Sequence, residues 1–148
     1  MRRFAFKLEQ LLEVRAYGEK LAKARLAEKA GACARLQQSL EDNARATIVA
    51  GRERFRPGGT LSDFRAGEMY AVRLQKERER LFKALAAAET EREAARLKYV
   101  EASRSMQLVE KLKERAEHDY YKFVSREEIK TMDDLASNAR IRAGAGSL

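Results

Sequence analysis

The side chains able to do chemistry in this chain are few and far apart. Among 148 residues stand one histidine, His118, and one cysteine, Cys33. A lone imidazole rules out any metal site built on several histidines of one chain. Cys33 has no second cysteine for an internal disulfide. It falls on an apolar stripe, where a thiol acts as a small hydrophobe. PGGT at 57–60 has the glycines of a phosphate loop but not its lysine, and it follows no strand. Carboxylates are abundant, yet a solvated helix face offers no pocket to shift their pKa values. The expectation is no catalytic residue, no cofactor and no metal, and so a protein that acts through its surfaces.

Two groups of residues could form such surfaces. Arg15, Glu19, Lys29, Arg78, Arg92 and Lys113 occupy places where a helix pair would ordinarily bury hydrophobes. Their long stems can lie along the seam while the heads reach water. The second group is aromatic: Tyr120, Tyr121 and Phe123, with Phe4 and Phe6 near the other terminus. Aromatics with no partner in their own chain read as a binding surface. The competing reading is that the tail folds back over them.

The elements that must position these residues are helices. Charged residues make up 36% of the chain and there is no Trp, a bias of long helices rather than of a globule with a deep interior. A seam of 3-4 spacing runs through Leu8, Leu12, Arg15, Glu19, Ala22, Leu26, Lys29, Cys33, Leu36, Leu40, Asn43, Thr47 and Ala50. A cleaner one runs from Gly67 through Ala71, Leu74, Arg78, Leu81, Leu85, Ala88, Arg92, Ala95 and Tyr99. It continues through Ala102, Met106, Val109, Lys113, Ala116, Tyr120 and Phe123. Between the two seams stands RFRPGGTLSDF, with the only proline, Pro57. Proline stops a helix and glycine supplies the positive φ of a reversal. Ser62 or Asp63 would cap the second helix.

Folding the chain at Gly58 and Gly59 brings the seams into phase. Leu8 then meets Val109, Leu12 meets Met106, Ala22 meets Ala95, Cys33 meets Leu85, Leu36 meets Leu81, Asn43 meets Leu74 and Thr47 meets Ala71. The expected architecture is all-α: a single long antiparallel two-helix coiled-coil hairpin with a C-terminal helical overhang. Helix 1 should span about 4–54, the turn about 56–62, helix 2 about 63–142 and a frayed tail 143–148. Each arm would be roughly 75 Å long at 1.5 Å per residue. Met1 should lie opposite residue 116, which leaves 117–148 without a partner in the first arm. Ser125 and Glu128 could form a capping box that breaks the helix there.

Net charge is +8, and it is uneven. Residues 1–56 carry 13 Lys and Arg against 7 Asp and Glu, a balance of +6; residues 57–148 carry 18 against 16, a balance of +2. Acidic partners fit that balance, although the signs are mixed in the manner of a solvated helix exterior. MRRFAFKLEQLLEV is interrupted by Lys7, Glu9, Gln10 and Glu13 and so lacks the apolar core of a signal peptide. The expected location is the cytosol.

The opening FAFKLEQLLEVRAYGEKLAKARLAEKA resembles the openings of the FliJ family, coiled-coil proteins of the bacterial flagellar export apparatus. The likeness continues at Gly58, Phe64, Tyr70 and Leu74 and returns at MDDLASNAR near the C-terminus. It implies a non-enzymatic, cytoplasmic protein of the flagellum, involved in type III protein export and acting as chaperone or ATPase regulator. Its place would be the cytoplasmic face of the flagellar base, peripheral to the membrane through its partners. Those partners would be a hexameric export ATPase, the cytoplasmic domain of an export-gate membrane protein, and export chaperones, with no nucleic acid. By the resemblance, the turn end carries gate binding at Leu40, Tyr70, Leu74 and Leu81. The end bearing the termini would meet the ATPase through Phe4, Phe6, Tyr120, Tyr121, Phe123, Asp133 and Arg140. Glu77 stands where the family often has a small residue, and Asn43 and Thr47 where aromatics can occur. Injectisome stalk proteins share the architecture.

Two other classes fit parts of the pattern. A nucleic-acid-binding coiled coil would segregate its basic residues into one stripe or interleave them with aromatics. A homodimeric tether would open the turn and pair its helices between chains.

Overall fold

The computed structural model describes residues 4–54 and 56–145. Two helices account for almost all of them: α1, Glu9–Glu53, and α2, Leu61–Ala145. No strand occurs among the described residues. The helices run antiparallel as an all-α hairpin, and the chain divides into two compact units. One unit holds residues 18–102, including the turn. The other holds the start of α1 and the part of α2 from Ser103 onward.

The turn is built as its residues dictate. Helix α1 ends at Glu53, ahead of Pro57, whose ring disfavours helix in the residue before it. Gly58 then takes φ +88°, the one positive φ among the described residues, where a side chain would be strained. The cap of α2 differs from expectation. Thr60, not Ser62 or Asp63, is the N-cap. Its Oγ1 accepts from the Asp63 main-chain N–H at 3.2 Å. The Asp63 carboxylate in return accepts the Thr60 N–H at 2.8 Å and the Thr60 hydroxyl at 2.7 Å. This is a reciprocal capping box with aspartate in the third helical position. Those hydrogen bonds, the hydroxyl's first, hold the Asp63 carboxyl below its ordinary pKa.

In the turn-bearing unit the seam is thin. Cys33 is its most buried side chain, 1% exposed, and Asn43 follows at 7%. Ala22, Leu26, Lys29, Leu36, Leu40 and Ala50 of α1 are half-buried, as are Gly67, Ala71, Leu74, Leu81, Leu85, Ala88, Ala95 and Tyr99 of α2. Three expected seam positions are instead exposed. Thr47 yields to Ala46, while Arg78 and Arg92 lie in water. A guanidinium gains nothing from a seam this shallow, because its stem can cover apolar surface only where a neighbour stands above it. Arg54, just past α1, closes the turn end. It forms an ion pair with Glu68, and its guanidinium sits 5.3 Å from the centre of the Phe64 ring.

In the other unit, Leu12, Ala16, Met106, Lys113 and Ala116 are half-buried and Val109 is buried. Leu8 and Arg15, expected on the seam, are exposed. Helix α1 begins at Glu9 rather than near residue 4. Residues 4–8 instead run non-helically, and this carries Phe4 to Tyr120, ring centres 5.5 Å apart. Glu9 anchors the start of α1 by accepting from Lys113 Nζ at 2.8 Å. That bond raises the Lys113 pKa. Helix α2 does not break at Ser125 and continues to Ala145. Half-buried Tyr120 and Val124 keep one phase across the junction, so a new start would sacrifice helical hydrogen bonds for one cap. The expected frayed tail is helical as far as Ala145, and its last three residues lie outside the described ones, as does Met1.

Candidate partner-binding surfaces

The residues expected to meet a partner near the turn do not share one exposure. Leu40, Leu74 and Leu81 are half-buried seam residues. Their first task is to hold α1 against α2. The Leu74 carbonyl also accepts the Asn43 side-chain amide at 3.1 Å. Tyr70 is different: it lies just off the seam and is 48% exposed. It borders a shallow depression that also touches Ala50, Ala66 and Gly67. Of the exposed side chains near it, Phe64 entered the sequence reading only through the family likeness, and Met69 and Val72 were passed over. They are legible as apolar residues outside the 3-4 phase.

In the unit bearing the termini, the expected aromatic group splits. Phe4, Phe6 and Tyr120 are half-buried, and Tyr120 is sandwiched between the Phe4 ring and an edge contact from Tyr121, ring centres 5.6 Å apart. Phe4 and Tyr120 therefore have structural work within the chain, which corrects the reading of Tyr120 as unpartnered. Tyr121 and Phe123 remain open, 58% and 62% exposed. Phe123 also leaves the seam position to Val124. Asp133 and Arg140 are exposed.

The unpartnered part of α2 begins later than residue 117. Val124 and Glu127 are still half-buried, whereas every residue from Glu128 to Arg142 is exposed. Within that segment Ile129, Met132 and Leu135 recur three residues apart and are 58–72% exposed. With Tyr121 they share one side of the helix. An isolated helical segment of this length is marginal in water, so a partner covering that stripe would stabilise it. Sequence reasoning chose Asp133 and Arg140 here and missed the I-x-x-M-x-x-L spacing beside them.

Charge is distributed in local pairs rather than in one basic stripe. Arg45 lies near Glu41, Arg96 forks onto Glu93 at 2.7 Å, and Lys130 bonds Glu127 at 2.9 Å. Among the described residues no cluster of three or more His, Cys, Asp or Glu could hold a metal ion. No described helix is long and apolar enough to cross a membrane. The geometry offers two separate apolar faces on a helical scaffold. A protein-family model described as "Flagellar FliJ protein" matches residues 4–145, nearly the whole chain. No curated protein and no solved structure matches it.

Proposed function

The chain belongs to the FliJ family of flagellar proteins, and from that premise we propose that it is a non-catalytic, stalk-like part of the flagellar export apparatus with one partner for each unit. The unit bearing the termini engages and stimulates a hexameric export ATPase. The turn-bearing unit engages the cytoplasmic domain of the export gate. Export chaperones are further partners, and the protein works at the cytoplasmic face of the flagellar base, held to the membrane only through these contacts.

The observation that carries this reading is the stretch of α2 from Glu128 to Arg142, helical and exposed throughout, with Ile129, Met132 and Leu135 in a row. A lone helix can enter the central opening of a ring, where a paired coil would be wider. The apolar row makes the contact less purely ionic than the charges of the segment suggest. Tyr70, with Met69 and Val72 exposed near it, gives the turn-bearing unit a separate contact. The test is a pull-down of the native chain from the bacterial cytoplasm. Recovery of the export ATPase, lost when Met132 and Leu135 are both changed to Asp, supports the proposal. Equal recovery with and without those changes contradicts it.

A further inference from the structure

The local pairing of charge gives way on one face of α2, beside the exposed Tyr70. Arg65, Met69, Arg73, Lys76, Arg80 and Lys83 follow one another at steps of three or four residues, which keeps them on one side of the helix. All are exposed, and they lie away from Ala71, Leu74, Leu81 and Leu85, the half-buried row of the seam. The face is roughly 27 Å long at 1.5 Å per residue.

Its charge is uncompensated. No Asp or Glu falls on that side of the helix between Arg65 and Lys83. Glu68 and Glu79 stand on one flank and Glu77 on the other. Glu68 is engaged by Arg54. Glu77 reaches Arg80 only at 3.9 Å, with both side chains in water, and such a contact holds little. Arg65, Arg73, Lys76 and Lys83 form no ion pair among the described residues. Like charges three and four residues apart destabilise a helix, so the row carries a strain that an anionic partner would relieve.

The apolar part of the face lies within the row. Met69 is 63% exposed and Val72, next to it, 47%. The cations hold the middle of the face, where a helix lying on lipid would carry its apolar residues. No aromatic side chain stands among them to stack on a base. The arrangement suits a protein surface with carboxylates ranged beside an apolar patch.

We infer that the surface the export gate presents to this unit is acidic, with its apolar patch over Met69 and Val72 and its carboxylates against Arg73, Lys76, Arg80 and Lys83. The inference rests on the reading that the gate docks beside Tyr70, and it adds the chemistry of the gate's side.

The gate's purified cytoplasmic domain is titrated with the full chain at low and high salt. Binding should weaken at least roughly tenfold between about 50 and about 500 mM salt, because exposed pairs are screened. Arg73→Gln, Lys76→Gln, Arg80→Gln and Lys83→Gln combined remove the charge and keep good helix formers. That chain should retain its helicity by circular dichroism, bind about tenfold more weakly at low salt, and lose most of the salt dependence. Arg73→Lys with Arg80→Lys keeps the charge and should restore native binding. Tyr70→Ala should weaken binding with the salt dependence intact. If Tyr70→Ala weakens binding and the glutamine chain binds like the native one, the acidic surface is wrong while gate docking stands. If the gate domain binds no form of the chain, both fall. Vesicles of anionic lipid, or a single-stranded RNA, that bind the native chain but not the glutamine chain, with gate binding equal for the two, would give the face to a different anion and overturn the inference.

Discussion

Asn43 donates from Nδ2 to the main-chain carbonyl of Leu74 across the seam, 3.1 Å away, and is itself only 7% exposed. Its Oδ1 is buried and accepts no hydrogen bond among the described residues. A buried amide half satisfied in this way costs stability, while its one bond fixes which residues face each other. Asn43→Leu is close to isosteric and removes the unsatisfied oxygen. It should stabilise the fold by about 1 kcal/mol, read as a higher urea midpoint, and should loosen the register. A lower midpoint would mean that the hydrogen bond matters more than the buried oxygen.

The register implied by Asn43 and Leu74 also sets Leu36 against Leu81, both half-buried. Leu36→Cys with Leu81→Cys, in a Cys33→Ser background, should form an intramolecular crosslink under mild oxidation. Non-reducing gel mobility and peptide mapping read it directly. In an Asn43→Leu chain the yield should drop as neighbouring registers become populated.

The capping box makes Thr60 a sensitive site. Thr60→Ala removes the acceptor for the Asp63 N–H and should cost about 1 kcal/mol. Ser62→Ala should be close to neutral, because Ser62 is exposed inside the first turn and does not act as the cap. Thermal denaturation followed by circular dichroism distinguishes the two.

Asp63 and Glu91 both have pKa values below their ordinary ones, Asp63 through Thr60 and Glu91 through its hydrogen bond from Lys29. A carboxyl depressed on folding binds protons more readily in the unfolded chain. Its contribution is thus complete above the unfolded value, near about 4, and is lost as pH falls through the folded one. Lys29 is raised by the same pair, so its share persists below its unfolded value and disappears only at strongly alkaline pH. The stability difference between the native chain and Glu91→Gln should therefore be present at neutral pH and shrink towards zero in acid. A difference that is unchanged at low pH would assign the effect to packing.

Much of the fold was legible because the seam residues keep a common phase on both sides of Pro57. Leucines and alanines carry that phase from Leu36 to Leu81. It failed where the residues were polar. Arg78 and Arg92 fit the spacing, but spacing alone does not show whether a neighbour stands over the side chain. Arg15 and Thr47 lost their places to Ala16 and Ala46, one-residue slips in opposite directions that leave a small apolar side chain half-buried in place of a polar one. The contact of Phe4 with Tyr120 was invisible for another reason. It depends on residues 4–8 leaving the helix, and FAFKL contains no Pro or Gly to announce that. The exposed row of Ile129, Met132 and Leu135 was legible as spacing. It was overlooked because a helix without a partner gives apolar residues no evident role.

If the two units have different partners, the decisive cut falls after Glu127, where pairing within the chain ends. The measurement is ATP hydrolysis by the purified export ATPase in the presence of three chains, with binding to the gate's cytoplasmic domain measured in parallel. The native chain should stimulate hydrolysis and bind the gate domain. A chain ending at Glu127 should keep its helicity and gate binding but lose stimulation. Tyr70→Ala should keep stimulation and weaken gate binding. Full stimulation by the shortened chain, or equal loss of both activities from either change, would contradict the assignment of one partner to each unit.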